Sequence, residues 1–219
     1  MRTTKLTQFT NMGELRTVTA RKRHNNRCDR CFMRPELCIC QDIVTAGAPF
    51  SLSTQITLIT HYRELRTPTN TGRLAELCLE KCRIFSRGQE GSQLIPKQVL
   101  SSKKRNLFLY PGDSAISLKE ALDHFEGPFN LIVPDGNWRQ ASKVHQRENF
   151  LSTLPLVKIS SHEESQYKLR KEPKENGLAT FEAIARAIGE LESTAIQRKM
   201  EELFDIMVSR SLKSRGVKI

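Results

Sequence analysis

No stretch of the chain approaches the roughly 20 consecutive apolar residues that a membrane-spanning helix needs. The opening Met1-Arg2-Thr3-Thr4-Lys5 also lacks the apolar core of a signal peptide. A cytoplasmic protein with no membrane partner is therefore expected. Acidic side chains are scarce beside basic ones: 24 Asp and Glu face 35 Lys and Arg, a net charge of +11 that favours a polyanionic partner over an acidic or neutral one. Tryptophan occurs once, at Trp138, and no internal repeat or low-complexity tract is present.

The basic excess is steepest at the start. Residues 1–30 carry Arg2, Lys5, Arg16, Arg21, Lys22, Arg23, Arg27 and Arg30 against Glu14 and Asp29 alone. Such an arm suits phosphate contacts with RNA or DNA, with Arg21, Lys22 and Arg23 as its binding core, and it adds affinity with little base specificity. A solvated tail is the bland alternative.

Directly after the arm, Cys28-x2-Cys31-x6-Cys38-x-Cys40 places four thiols within 13 residues. In a reducing compartment clustered cysteines read as metal ligands and not as disulfides. Four thiolates with no water position make a closed tetrahedral zinc site, which stabilises structure without activating substrate. Free thiols and an iron-sulfur cluster are the other readings, and His24 is a competing ligand assigned here to the arm. Cys78 and Cys82, at i, i+4 spacing, read as core residues.

At 219 residues one main α/β domain with a short accessory piece fits best: residues 1–50 as arm and knuckle, residues 51–219 as the main domain. Gln55 to His61 alternates as a strand that opens onto a polar loop, His61 to Gly72. Leu74, Leu77, Cys78, Ile84 and Phe85 recur at helical spacing. Asn106 to Tyr110, Phe129 to Pro134 and Leu154 to Ser160 read as strands, while Ser117 to Phe125 and Asn137 to Gln146 read as helices. From Thr180 to Leu212 one or two helices are expected, with a break near Gly189 or Ser193-Thr194. This alternation predicts a mostly parallel sheet flanked by helices.

A parallel strand ending Val133-Pro134-Asp135-Gly136 delivers a carboxylate to the carboxyl edge of the sheet, where α/β proteins bind ligands. Asp135 is thus a candidate general base, a helix N-cap being the alternative. In the loop that begins at His61, Asn70 and Thr71 are candidate pocket residues, with Arg66 or Arg73 as nucleic-acid contacts.

Asp135-Gly136-Asn137-Trp138, followed by Arg139, Ala141 and Lys143, resembles the signature of the DTW-domain family, with Asn137 where the family has its namesake threonine. The Cys28 to Cys40 knuckle, Thr67 to Arg73, the Tyr110-Pro111-Gly112 turn and Tyr167 to Ala183 are similar to family blocks in the same order, so the resemblance spans about residues 28–186. It implies a SPOUT-like fold with a C-terminal knot. The implied activity transfers the 3-amino-3-carboxypropyl group of S-adenosylmethionine to N3 of a tRNA uridine, with zinc structural. Pro111, Gly136, Asn137, Trp138, Tyr167, Arg170, Leu178 and Thr180 then become cofactor contacts, Thr180 being also a simple N-cap candidate, and Arg139 an RNA contact. A monomer is expected. The competing functions are an RNA methyltransferase using the same cofactor and a non-enzymatic zinc-knuckle RNA-binding protein.

Overall fold

The computed structural model describes residues 27–65, 67, 70–89, 91, 93–136, 138–160 and 177–216, with the side chain of Trp138 outside the description. Six strands form one sheet: β1 (Gln55–His61), β2 (Cys82–Arg87), β3 (Arg105–Leu109), β4 (Ile116–Ser117), β5 (Phe129–Asp135) and β6 (Leu156–Lys158). Their order is β2-β1-β5-β3-β6-β4, and every pairing among them is parallel. The described helices are α1 (Cys40–Thr45), α2 (Gly72–Cys78), α3 (Pro96–Val99), α4 (Leu118–His124), α5 (Trp138–Arg147), α6 (Asn149–Ser152), α7 (Thr180–Leu191) and α8 (Thr194–Lys213).

A parallel sheet must cover both faces with helices, because neither can be left to water without exposing its apolar rows. Alternate residues on the central strands supply the two faces. Leu58, Leu107, Leu131 and Val133 join the larger core with Ile184 of α7 and Leu203 and Met207 of α8. Ile59, Phe108 and Ile132 face the other way onto Val99, Val144 and Leu151. Cys31, Met33, Ile39 and Ile43 are buried in the larger core, so the cysteine segment packs without a break against the body of the fold.

Several sequence expectations are met at the residue level. β1 runs from Gln55 to His61, and α4 opens with Ser117 as N-cap: its hydroxyl accepts the Glu120 amide while the Glu120 carboxylate accepts the Ser117 amide. α7 and α8 are separate helices, Ser193 capping the second by accepting the Ile196 amide at 3.3 Å.

Three expectations are corrected. The helix expected to carry Leu74 through Phe85 stops at Cys78, and Ile84 and Phe85 lie in β2, paired with Leu58 and Ile59 of β1. The short Glu80-Lys81 turn allows the chain to re-enter the sheet, and sheet pairing overrides an accidental helical period. Cys78 and Cys82 therefore share no helix; Cys78 is a fully buried core residue. Gly189 does not break α7 either. Its missing side chain admits α8, since a Cβ there would lie 1.6 Å from Gln197 Oε1. The strand expected over Leu154 to Ser160 is confined to Leu156–Lys158.

Candidate active site

All strands being parallel, their carboxyl ends share one edge, and β1 and β5 are neighbours there. The chain leaves β1 toward β2 on one side and leaves β5 toward β6 on the other, and such a divergence is where α/β sheets place their ligand crevice. Thr60 and Asp135 are register partners at that point.

Asp135 is buried, with 5% of its surface exposed. Its carboxylate accepts three side-chain hydrogen bonds from three different elements. Thr60 Oγ1 of β1 donates to Oδ2 at 3.0 Å, Asn70 Nδ2 donates to Oδ2 at 2.8 Å, and Thr180 Oγ1 of α7 donates to Oδ1 at 2.8 Å. Burial pushes the carboxyl pKa above the ordinary aspartate range; the three donors pull it back in part, and the nearby Glu64 charge adds to the rise. These bonds engage the carboxylate as an acceptor for side chains of distant segments, a stronger arrangement than the helix cap considered from sequence.

Two glycines flank this group, and the first makes room for it. A Cβ on Gly72 would stand 2.8 Å from Asp135 Oδ2 and 3.0 Å from its Cγ, so only glycine lets the start of α2 approach so closely. Gly136 takes φ +152°, and a Cβ there would meet Gln140 Oε1 at 2.8 Å.

The flanking loop is built of successive turns: Glu64 N–H donates to His61 O, Thr67 N–H to Glu64 O, and Asn70 N–H to Thr67 O. Asn70 is then held from both ends, because its Oδ1 accepts the Arg73 amide at 2.9 Å. Thr71 is buried and its Oγ1 accepts the Phe181 amide at 3.3 Å, tying α2 to α7. His61 at the end of β1 has its pKa lowered by burial and by the charges of Arg63 and Arg87, and its Nδ1 accepts the Arg63 amide at 3.3 Å, so the ring is a neutral Nε2–H tautomer.

The sequence-selected residues divide as follows. Asn70 and Thr180 meet Asp135 directly, Thr71 binds the neighbouring Phe181 amide, Gly136 follows Asp135 in the chain, Leu178 lies two residues before Thr180, and Pro111 follows β3 at the same sheet edge. Thr180 is not the N-cap of α7; Ala179 holds that position, and Glu182 Oε2 accepts the Ala179 amide at 2.8 Å. Arg139 is exposed on the first turn of α5. Arg73 turns to the cysteine segment, donating from Nε to Arg30 O at 2.6 Å and from Nη2 to Asp29 O at 3.1 Å. Arg21, Lys22, Arg23, Arg66, Asn137, Tyr167 and Arg170 lie outside the described residues, as does the Trp138 side chain. Sequence reasoning missed Thr60 and Gly72. A hydroxyl at the end of the apolar run QITLIT was the available signal for the first; the second was visible only as the end of a loop.

Cys28, Cys31, Cys38 and Cys40 bring their sulfurs within 4.8 Å of one another, with Cys28–Cys40 and Cys31–Cys38 each 3.6 Å apart. A tetrahedron of thiolates at about 2.3 Å from a metal has edges of about 3.8 Å, so the donor set fits one zinc-sized ion. Arg210 of α8 braces this segment, donating to Cys38 O at 2.5 Å and pairing with both Asp42 oxygens at 2.6 and 2.9 Å. Cys78 and Cys82 offer no comparable site: burial pushes Cys78 up to about 12, and burial with the Glu76, Cys78 and Asp135 charges pushes Cys82 up as well, so both remain protonated thiols.

A parallel α/β sheet with a desolvated carboxylate at adjacent strand ends, joined to a four-cysteine cluster whose sulfurs could hold a metal ion, defines the class. More particularly, the DTW domain model matches residues 25–212, and the chain belongs to the DTW-domain family. It is 30% identical over 172 residues to tRNA-uridine aminocarboxypropyltransferase 2 of Drosophila melanogaster, covering 77% of this chain and 67% of that protein. It is 29% identical over 185 residues to the protein of the same name from Macaca fascicularis (83% and 61%). Against tRNA-uridine aminocarboxypropyltransferase A of Arabidopsis thaliana it is 26% identical over 221 residues (84% and 81%). The chain thus spans under two thirds of the macaque protein and about two thirds of the fly one. Among solved structures, the SAM-dependent rRNA:acp-transferase Tsr3 from Vulcanisaeta distributa matches with a TM-score of 0.45 and 11% identity, over 75% of this chain and 90% of that one.

Proposed function

We propose that the protein transfers the 3-amino-3-carboxypropyl group of S-adenosylmethionine to N3 of a uridine in tRNA, with release of methylthioadenosine. The observation that carries this reading is Asp135: a buried carboxylate with raised proton affinity, held by Thr60, Asn70 and Thr180 at the crevice between β1 and β5. Family membership and relatives named tRNA-uridine aminocarboxypropyltransferases support the choice of reaction.

Neutral uridine cannot attack through N3 while that nitrogen holds its proton. Asp135 accepts this proton as N3 forms its bond to the methylene carbon, and the carbon–sulfur bond breaks with its electron pair passing to sulfur. The sulfonium of S-adenosylmethionine supplies the neutral leaving group, methylthioadenosine. A desolvated carboxylate is the stronger base for this step, and fixed donors hold it in one orientation. Positioning decides that the chain carbon, and not the methyl, faces the base.

A SPOUT-type knot at the C-terminal end is the arrangement proposed to hold S-adenosylmethionine, with Leu178 and Thr180 near the start of α7, Pro111 after β3, and Gly136, Asn137, Trp138, Tyr167 and Arg170 as further contacts. Arg139 and the Arg21-Lys22-Arg23 arm are the proposed phosphate contacts, with Arg66 beside them. Zinc bound by Cys28, Cys31, Cys38 and Cys40 is structural. The protein is proposed to act as a cytoplasmic monomer.

The test is incubation of the purified protein with unmodified tRNA and S-adenosylmethionine, followed by nucleoside mass spectrometry. A uridine that gains the aminocarboxypropyl mass, with methylthioadenosine released, is the expected result. A methyl gain, or no cosubstrate binding at all, overturns it.

A further inference from the structure

The four-cysteine knuckle and the carboxylate are joined by one continuous chain of contacts through Arg73. Its guanidinium takes two backbone carbonyls of the knuckle, Arg30 O at 2.6 Å and Asp29 O at 3.1 Å. It also lies over the Phe32 ring, 3.8 Å from the ring centroid. All three partners fall between Cys28 and Met33, in the turn those two residues close. That turn is unusual, since Phe32 is the one non-glycine residue with positive φ (+58°) among the described residues. A bulky side chain in the left-handed region persists only where its surroundings fix it. Here the Phe32 amide is bound to Cys28 O at 2.9 Å and the Cys28 amide to Met33 O at 2.8 Å. At its other end, the Arg73 amide donates to Asn70 Oδ1 at 2.9 Å, and Asn70 Nδ2 donates to Asp135 Oδ2 at 2.8 Å.

We infer that Arg73 is a positioning residue that makes the orientation of Asn70 against Asp135 depend on metal loading of the knuckle. With the metal bound, the Asp29–Phe32 turn presents two aligned carbonyls and a ring, which fit the planar two-donor fork of arginine and no other side chain. Release of the ligands removes that platform, α2 loses its anchor at Arg73, and the Asn70 amide is no longer held toward the carboxylate. The knuckle therefore acts on the reaction centre as well as on overall stability. The catalytic consequence rests on the transferase reading above; the structural coupling does not.

The test uses the full chain with metal bound, as wild type, Arg73→Met and Arg73→Lys, read by metal content, amide hydrogen exchange and the pH dependence of transfer. Arg73→Met should keep one metal per chain yet exchange several-fold faster at the amides of residues 70–74. Stripping metal from the wild type should speed the same amides, and stripping it from Arg73→Met should add nothing there. Arg73→Lys, which keeps the charge without the fork, should resemble Arg73→Met. On the acid side of the pH profile, transfer by Arg73→Met should fall about tenfold, the worth of one weakened hydrogen bond to a charged group, with KM for tRNA unchanged. The inference is overturned if metal removal speeds only the knuckle amides, or if both variants exchange at residues 70–74 as the wild type does. Exchange needs no substrate, so a failure of the transferase reading would show in the product analysis and leave the exchange result standing.

Discussion

Replacing Thr180 by valine deletes one hydroxyl and preserves side-chain shape, so it isolates a single hydrogen bond to the Asp135 carboxylate. In the wild type the Thr180 hydroxyl donates to Oδ1 at 2.8 Å, while Thr60 and Asn70 share Oδ2. A hydrogen bond to a charged group contributes about 1.5–3 kcal/mol, and its loss shifts the balance between ionised and protonated carboxyl by about 10- to 150-fold toward the protonated form. The base works only when ionised. The folded-state pKa is already raised by burial, and the variant raises it further, so activity is lost at a higher pH as the medium is acidified. Initial rates of transfer measured across pH 5 to 9 should show Thr180→Val falling at least about tenfold below wild type on the acid side and converging with it on the alkaline side. Stability should follow the same linkage with its own sign: a raised carboxyl pKa contributes stability below the unfolded value that is lost as pH rises through the folded one. Thr180→Val should accordingly be most destabilised near neutrality and regain stability on acidification. A uniform loss of rate at every pH would refute this reasoning, because it would mean that the Thr180 hydroxyl acts through the cosubstrate alone and does not set the ionisation of the carboxylate.

Three other perturbations address separate parts of the account. Gly72→Ala places a methyl 2.8 Å from Asp135 Oδ2 and should lower kcat on the order of 100-fold while the far-ultraviolet dichroism spectrum is unchanged; an active variant would show that the carboxylate has slack. Asn130 is buried at the opposite end of the sheet, where its amide joins Gln55, Thr57, Asn106 and the Val99 carbonyl at 2.7–3.1 Å; Asn130→Leu should cost about 2–4 kcal/mol in denaturant unfolding by stranding those partners, with no change in the shape of the pH profile. Cys28→Ser should reduce bound zinc well below one per chain by elemental analysis and lower the melting temperature, whereas Cys82→Ser should leave the metal content unaltered.

Much of this arrangement was legible from residue order. Short apolar runs that end in Pro-Asp-Gly or in a polar loop announced parallel strands, and a parallel strand has one edge at which its last polar residue can be used; that is why Asp135, Asn70 and Thr71 stood out before any coordinate. The cysteine spacing was equally local, and so was the helix over Ser117 to Phe125. What failed was non-local. Ile84 and Phe85 fit a helical period with Leu74 and Leu77, yet pairing with Leu58 and Ile59 draws them into β2. Gly189 looks like a helix breaker, but the space it leaves is filled by Gln197 from the next helix. Arg73 reads from sequence as an RNA contact in a polar loop, and its bonds to the carbonyls of Arg30 and Asp29 could not be read there because those groups are more than 40 residues away and carry no side-chain signature. Thr60 was hidden for a related reason: only strand register shows that it stands beside Asp135.

The central claim is that the Asp135 carboxylate takes the proton from uridine N3. Single-turnover transfer to tRNA by Asp135→Asn, with binding of tRNA and S-adenosylmethionine and zinc content measured on the same sample, tests it most directly. The account predicts a folded, zinc-containing variant that binds both substrates and forms no aminocarboxypropyl-uridine. Transfer at a rate near that of the wild type would contradict it.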